Sequence, residues 1–300
     1  MLETTPKFYT WKNFRCAYEV HTPQKSSDDN LALLLIHPIG VGLSGCFWHR
    51  FIKAWLELDN SISIYNPDLL GCGNSDMPRA AYYPSDWGQQ LHYFLENVVK
   101  TPVIVVTQGA LPPVAIALRE SLSQPNLIKG LVFAGPPSWK LITQQVKPIQ
   151  QKLIWNLLFD SLLGDLFYRY ARRRKFIESF SVRQLFAEAE AVDAEWLDNL
   201  EIGAVNLESR YAVFSFLAGF WRQNYKESIA NISEPTLVVF GEKASSIDGT
   251  GASETPQQRL DLYLKHLAEG QGKIISGRNV LPYESTDEFV GVVSEFVEQF

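Results

Sequence analysis

The feature that most limits the fold is a set of short, almost wholly apolar runs that alternate with stretches of helical spacing. LALLLIHP (31–38), PVIVV (102–106) and IKGLVFAG (128–135) have the length and composition of strands buried on both faces. Between the first two runs, FWHRFIKAWLEL (47–58) repeats its large apolar residues at helical spacing. Short buried strands that alternate with helices predict a parallel sheet wound through right-handed crossovers, which is an α/β fold.

The alternation is interrupted once, by a long helical segment. Residues 138–232 carry apolar residues at helical spacing, and the α/β alternation then resumes with PTLVVFGEK (235–243) and continues to the end of the chain. An antiparallel hairpin is predicted at FYTWKNFRCAYEVHT (8–22), before the first buried strand. We therefore expect an α/β core from residues 1–137 and 233–300, and a helical cap from residues 138–232.

Composition excludes several other classes of protein. The 300 residues carry a net charge of −6 and a pI of about 5.5, whereas a nucleic-acid binder normally shows a basic excess. The three cysteines, Cys16, Cys46 and Cys72, are too few and too scattered for a disulfide framework or a structural zinc site. The first residues show no charged start followed by an apolar run, so we expect a cytoplasmic protein without a secretory signal.

Four sequence blocks occur in an order and at a spacing that are typical of one family. They are LLLIHPIG (33–40), YNPDLLGCGNSD (65–76), LVVFGEK (237–243) and GRNVLPYES (277–285). Together with the order of strands and the helical cap, they resemble the α/β-hydrolase superfamily over nearly the whole chain. The resemblance implies a mostly parallel central sheet flanked by helices, with a cap that roofs the ligand cleft.

The same resemblance assigns the groups that stabilise a developing oxyanion. In the first block Pro38 stands where the family has glycine, so Ile39 is expected to carry one of the two backbone N–H donors. The second donor is the residue after the nucleophile, which here is Ala110. Both residues are therefore candidates for an oxyanion-hole-like site.

The positions of a Ser-His-Asp triad hold residues that cannot perform its chemistry. The nucleophile normally sits on a strained strand-to-helix elbow, and here the turn 107–111 has Gly109 at that place. The acid position is Ala244, although Asp248 follows four residues later, and the base position is Val280. The chain thus resembles a catalytically inactive pseudo-hydrolase, with a displaced acid at Asp248 as an open alternative.

An alternative candidate for a nucleophile lies at the start of the helix that follows block 33–40. Cys46 and His49 are three residues apart there, and a helix N-terminus can lower the pKa of a thiol. The alternative is that Cys46 is a small packed residue and that His49 faces solvent.

The cleft is predicted to be lined by polar residues near the elbow and by aromatic residues of the cap. The candidates are His37, Gln108, Trp139, Trp155, Phe214 and Trp221. An apolar cavity with few polar groups is the usual form of a small-molecule site. Plain packing between cap and core explains the same aromatic residues equally well.

The cap also contains a basic run after a strongly apolar amphipathic stretch. Residues 172–175 are Arg-Arg-Arg-Lys, and Trp155, Phe159, Leu163 and Phe167 precede them. One interpretation is a peripheral contact between the cap and anionic lipid. The other is a cap helix packed over the cleft, whose basic end complements a helix C-terminus.

Three hypotheses for the function follow from these observations. The first is a non-catalytic protein that binds a small apolar or amphipathic ligand, or a partner protein, at the cleft. The second is a hydrolase or lyase with displaced catalytic groups, and the third is a scaffold or assembly factor at a membrane surface. None of them calls for a cofactor or a metal ion.

Overall fold

The centre of the molecule is one eight-stranded sheet. The computed structural model describes residues 5–23, 31–58, 62–122, 125–247, 249, 251 and 253–300. Its strands are β1 (Lys7–Trp11), β2 (Phe14–His21), β3 (Ala32–Ile36), β4 (Ser63–Pro67), β5 (Val103–Gln108), β6 (Ile128–Ala134), β7 (Thr236–Gly241) and β8 (Gly270–Ile275). They lie side by side in the order β1-β2-β4-β3-β5-β6-β7-β8.

Strand pairing confirms the hairpin and the mostly parallel sheet that the sequence predicts. β1 and β2 are antiparallel around Lys12 and Asn13, whose φ angles of 48° and 67° belong to a tight two-residue turn. β2 also pairs antiparallel with β4, and the pairs from β4 through β8 are parallel. Because parallel strands end at the same edge of a sheet, the loops that follow β3, β5, β6 and β7 meet at that edge.

Helices cover both faces of the sheet. In chain order they are α1 (His49–Glu57), α2 (Pro84–Phe94), α3 (Pro112–Ser121), α4 (Trp139–Thr143), α5 (Pro148–Ile154), α6 (Leu162–Ala171), α7 (Arg174–Phe180), α8 (Ala194–Gly203), α9 (Arg210–Leu217), α10 (Lys226–Ala230), α11 (Pro256–Leu264), α12 (Leu281–Glu284) and α13 (Thr286–Val297). Short π-helical segments extend α2, α5 and α7 over Leu95–Val99, Trp155–Phe159 and Ser181–Leu185. By length and hydropathy, none of the helices in the described ranges qualifies as a membrane span.

Alternate residues of the central strands face two separate apolar layers. In β5, Val103 and Val105 belong to one layer, which α2, α3 and α11 cover. Ile104 and Val106 belong to the other layer, which α1 and α13 cover. Burial of these strands on both faces explains why their sequences are continuous apolar runs without alternation.

The residues between β6 and β7 form a helical insert, the cap. Residues 138–232 are all described, and their regular structure consists of helices α4 to α10 and short helical turns. The cap helix α8 approaches the loop after β3 so closely that only glycine fits. A Cβ on Gly203 would lie 2.1 Å from the carbonyl oxygen of Gly42, and a Cβ on Gly42 would lie 1.9 Å from that of Leu200. Arg50 of α1 forms ion pairs with Asp193 and Glu195 at the start of α8.

Candidate functional site

The turn that follows β5 has the backbone shape of a strand-to-helix elbow. Gly109 has a φ of +63°, in the left-handed region, and its N–H donates a 2.8 Å hydrogen bond to the carbonyl oxygen of Ala134. A Cβ added at Gly109 would meet no atom within 4 Å. Gly109 therefore borders open space, and glycine adopts the elbow conformation without steric cost.

The two backbone donors assigned to an oxyanion hole have no other partner in the described part of the chain. The N–H groups of Ile39 and Ala110 donate to none of the described residues. Ile39 is buried, whereas Ala110, next to the elbow glycine, is partly exposed. Their role as oxyanion donors remains a prediction.

The residue predicted to stand at the position of the triad base, Val280, has a buried apolar side chain. Val280 is 4% exposed and belongs to the same apolar layer as Trp196 and Phe289. Beside it, the Nε2 of Gln108 donates a 2.6 Å hydrogen bond to the carbonyl oxygen of Asn279. A hydrogen bond from a neutral side-chain amide thus links β5, the elbow strand, to residues 277–280, which we call the base loop. An active triad needs a contact between nucleophile and base in this region instead.

Gln108 is held by this bond in one orientation. The carbonyl oxygen of Asn279 can only accept, so the amide nitrogen of Gln108 has to face it. The Oε1 atom is then buried with no hydrogen-bond partner among the described residues. Gln108 was a candidate cleft residue, and the structure places its side chain between β5 and the base loop.

A segment of the cap lies directly over the base loop. The N–H of Asn279 donates to the carbonyl oxygen of Leu185 at 3.0 Å, and its Nδ2 donates to that of Gln184 at 2.7 Å. The neighbouring Arg278 donates from Nη1 to the carbonyl oxygen of Arg183 at 2.7 Å. Because these contacts join residues about ninety positions apart, no local sequence pattern predicts them.

The loop at the acid position is tied to the same asparagine. Ala244 is half-buried, and its N–H donates to the carbonyl oxygen of Gly241 at 2.9 Å in a tight turn. The N–H of the next residue, Ser245, donates to Asn279 Oδ1 at 3.3 Å. Asp248, the candidate for a displaced acid, lies outside the described residues, so that alternative remains untested.

His37 has no ring nitrogen left for a ligand. Its Nδ1–H donates to the carbonyl oxygen of Pro38 at 2.9 Å, and its Nε2 accepts from the N–H of Leu69 at 3.0 Å. Burial lowers the pKa of the imidazole, which is therefore neutral. We predicted this histidine as a cleft residue, and the structure shows it joining the loops after β3 and β4.

Asp68 is a residue of the site region that the sequence reasoning passed over. Its Oδ1 accepts from the N–H of Gly45 and its Oδ2 from the N–H of Asn74, both at 2.8 Å. A Cβ on Gly73 would lie 2.2 Å from the carboxylate, so the glycine is required there. The aspartate with two glycines in block 65–76 is the signal in the sequence. Asp68 ties its own loop to Gly45, at the end of the loop that contains Ile39.

Cys46 and His49 do not form a nucleophilic pair. The sulfur of Cys46 lies 3.1 Å from Ser44 Oγ, and burial raises the pKa of the thiol to about 11. His49 donates from Nε2 to the carboxylate of Glu19 at 3.0 Å. The expectation of a lowered thiol pKa is wrong here, because desolvation raises the pKa more than the hydrogen bond to Ser44 lowers it.

The aromatic candidates of the cap pack on other rings. The pairs, with their centroid separations, are Trp155–Phe220 (5.5 Å), Phe214–Phe159 (4.7 Å), Trp221–Phe216 (5.2 Å) and Trp139–His266 (4.2 Å). The first three pairs lie inside the cap, and the last joins the start of the cap to the turn that follows α11 of the core. Packing accounts for these contacts, and a role in lining the cleft remains a prediction.

The elbow region as a whole offers space and backbone donors. The residues at the three predicted triad positions, Gly109, Ala244 and Val280, contain no side-chain group that attacks a carbonyl or transfers a proton. In the described ranges, no group of three or more His, Cys, Asp or Glu side chains is placed to hold a metal ion. Chemically, such a region can donate backbone hydrogen bonds to an oxygen atom of a ligand near the elbow.

Comparison with known proteins adds one family and a set of solved structures. The sequence model described as "Alpha/beta hydrolase family" matches residues 33–292. Among curated proteins, none matches this sequence.

Several solved structures superpose on nearly the whole chain. Bromoperoxidase from Bacillus anthracis aligns with a TM-score of 0.72 and 16% identity, covering 98% of this chain and 100% of that one. A thermophilic esterase from Thermogutta terrifontis aligns with a TM-score of 0.70 and 15% identity, covering 99% and 98%. An esterase from Exiguobacterium antarcticum aligns with a TM-score of 0.71 and 13% identity, covering 98% and 100%. At these identities the likeness concerns the fold.

Proposed function

The chain belongs to the α/β-hydrolase family, and from this premise we propose that it is a non-catalytic member that binds a small amphipathic ligand at the elbow. The observation that carries the proposal is the state of Gly109. The elbow has kept its left-handed backbone and open space beside it, while the residue at its tip has no side chain. Both features support a site that has the backbone geometry of the family's elbow and lacks a group that attacks a substrate.

The size of the catalytic loss supports a non-catalytic role. Removing the nucleophile or the base of a triad enzyme lowers kcat by about 10⁶, and what remains is substrate binding and the oxyanion hole. Here Gly109 and Val280 stand at both positions, and the buried Val280 cannot take a proton. Of the steps of a triad mechanism, substrate binding is the one that does not need a nucleophile or a base at these two positions.

The groups around the elbow indicate the chemistry of the ligand. The backbone N–H groups of Ile39 and Ala110 suit a carbonyl or carboxylate oxygen, because they are donors without another partner in the described residues. Valine and alanine at the former base and acid positions make the surroundings more apolar than in an active enzyme. A carboxylate or carbonyl head on an apolar body fits both properties.

An enzyme with displaced groups is the second candidate, and no observation favours it. The Cys46 side chain is half-buried, its thiol is hydrogen-bonded to Ser44, and desolvation raises the pKa of the thiol to about 11. The neighbours named as esterases are at most 15% identical to this chain, so their activity does not transfer to it.

Two measurements test the proposal together. A fluorophosphonate probe should leave the chain unlabelled, because Gly109 offers no hydroxyl. Decanoate, which has a carboxylate head and an apolar chain, should bind in a calorimetric titration. Gly109→Leu should weaken that binding by roughly tenfold or more, since leucine fills the open space beside the elbow.

Gly109→Ala is the matched control, because it has the same unfavourable φ but little added volume. Decanoate binding within about threefold of the wild type is expected for this variant. Labelling within residues 107–111, or turnover of a panel of esters, would show that the chain is an enzyme. Equal decanoate binding by the alanine and leucine variants would place the ligand elsewhere.

A further inference from the structure

The first two long helices of the cap are apolar on both sides. α5 and its π-helical extension bury Trp155 and Phe159 inside the cap. On the other side, Ile149, Leu153 and Leu157 follow each other at intervals of four residues and are 75%, 57% and 66% exposed. A helix that is apolar all round is normally buried, so this exposed stripe is unusual in a folded chain.

The next helix, α6, repeats the arrangement. It buries Tyr168, while Leu162, Leu166 and Tyr170 are spaced by four residues and are exposed, Leu162 by 84%. Phe159 and Tyr168, one from each helix, both pack on Phe214 of α9. The exposed stripes of the two helices therefore lie on the side of the cap that faces away from α9.

We call the six residues Ile149, Leu153, Leu157, Leu162, Leu166 and Tyr170 the outer cap face. Residues 147–175, which contain it, carry seven Lys or Arg residues and two Asp residues, in a chain whose net charge is −6. Both aspartates are paired, Asp160 with Arg79 and Asp165 with Arg169. The cap segment is thus a local region of positive charge on an acidic protein.

Two cations beside the outer cap face are free to meet an external anion. Lys152 and Arg173 are exposed, and neither forms an ion pair within the part of the chain that the structure describes. Arg173 lies over the ring of Tyr170, with 5.6 Å between the guanidinium carbon and the ring centroid. The positive charge is therefore next to the apolar stripe.

We propose that the outer cap face binds the surface of a bilayer that contains anionic lipid. Leucine side chains of such a face insert at the boundary between headgroups and acyl chains, while the adjacent cations attract the negative headgroups. The positive charge beside the outer cap face complements anionic lipid, and it disfavours a second copy of the chain as the binding partner of this face. A symmetric contact would bring the Lys152 and Arg173 groups of two copies toward each other.

The proposal concerns a surface separate from the elbow, and its test does not depend on ligand binding there. The full chain is sedimented with vesicles of three parts phosphatidylcholine to one part phosphatidylglycerol, and with vesicles of phosphatidylcholine alone. Binding to the anionic vesicles is expected to be roughly tenfold stronger or more, and to fall in about 0.5 M NaCl, where surface charges are screened.

The double variant Leu162→Glu, Leu166→Glu should lose binding to the anionic vesicles by at least roughly tenfold, because it removes apolar contacts and adds repulsive charge. Both residues are exposed, so this variant should keep the wild-type circular dichroism spectrum. Leu58→Glu with Ile274→Glu is the matched control, since it changes two exposed apolar residues of the core and should bind as the wild type does.

Three results would overturn the proposal. They are no binding to either vesicle type, equal loss in the control variant, and a wild-type dimer in analytical ultracentrifugation that Leu162→Glu, Leu166→Glu converts to a monomer. The last result would assign the outer cap face to self-association. Loss of decanoate binding without loss of vesicle binding would contradict only the proposed ligand function.

Discussion

The core helix α1 and the cap helix α6 use their apolar residues differently. α1 buries Phe51 and Trp55 against the sheet and exposes the charged residues Lys53 and Glu57. α6 buries Tyr168 and exposes leucines on the opposite side. Packing within the chain thus accounts for the apolar residues of α1, whereas most of the apolar residues of α6 stay exposed. The difference agrees with the proposed membrane contact of the outer cap face, since the exposed apolar residues of α6 are not buried within the described part of the chain.

The largest expected effect tests whether both regions have a true packed interior. Phe51→Ala in α1 and Phe214→Ala in α9 should each lower the free energy of unfolding by about 3–5 kcal/mol, because both rings are fully buried. Urea denaturation followed by circular dichroism measures both values. A loss under about 1 kcal/mol for Phe214→Ala alone would show that the cap interior is loosely packed.

The next effect concerns the close approach between cap and core. Gly203→Ala should destabilise the protein by about 1–3 kcal/mol, because its Cβ would overlap the backbone of Gly42. Gly291→Ala is the matched change in α13, where a Cβ meets no atom within 4 Å, and it should stabilise by about 0.5–1 kcal/mol. Thermal unfolding of both variants checks the sign. Equal stabilisation by both changes would show that α8 can move away from the loop after β3.

A smaller effect is expected from the ion pairs that join α1 to α8. Burial tends to raise the pKa of Asp193, but the N–H of Trp196 and the guanidinium of Arg50 outweigh it and hold that pKa below its usual range. The charged carboxylate therefore stabilises the folded state above its ordinary pKa, and this contribution is lost as the pH falls below about 4.

Arg50→Met should accordingly cost about 0.5–1 kcal/mol at pH 7, since the pair is partly exposed. The stability difference from the wild type should shrink toward pH 3. Lys273→Met, which removes an exposed pair with Glu295, is expected to change little at either pH. Urea midpoints at the two pH values are the measurement, and a difference that grows in acid would contradict the assignment.

The smallest effect sharpens the contrast within one helix. Leu162→Ser should change the free energy of unfolding by less than about 0.5 kcal/mol, because the side chain is almost fully exposed. Tyr168→Ala, six residues later, removes a buried ring and should cost about 3–5 kcal/mol. Comparable losses in the two variants would mean that the outer cap face is covered by the chain itself.

The sequence predicted the sheet, the hairpin and the helical insert because these follow from local patterns. Strand β5 is a continuous apolar run, and Lys12–Asn13 is a turn signal between two alternating segments. The order of the blocks also predicts Gly109 as the elbow residue; its positive φ is compatible with that prediction, which stays a prediction.

What the sequence could not predict are contacts between distant residues and the solvation of single groups. The Gln108–Asn279 bond joins residues 171 positions apart, and periodicity carries no information on it. An apolar ring such as Phe214 has the same pattern whether it lines a cleft or packs in a cap interior. The pKa of Cys46 depends on burial by the assembled fold, which a helix start in the sequence does not indicate.

In evolutionary terms, and under the proposed function, the hydrogen bond from Gln108 to Asn279 is an obstacle to hydrolysis chemistry at the elbow. If Gly109 were replaced by serine and Val280 by histidine, the side chain of Gln108 would still be hydrogen-bonded to Asn279, between the elbow strand and the base loop. Hydrolytic activity would then require replacements at Gly109, Val280 and Gln108 together. Each replacement alone would give too little activity for natural selection to act on. Under the proposed function, a chain with this hydrogen bond can change its cap for binding without disturbing a catalytic step, but it gains hydrolysis only through several joint replacements.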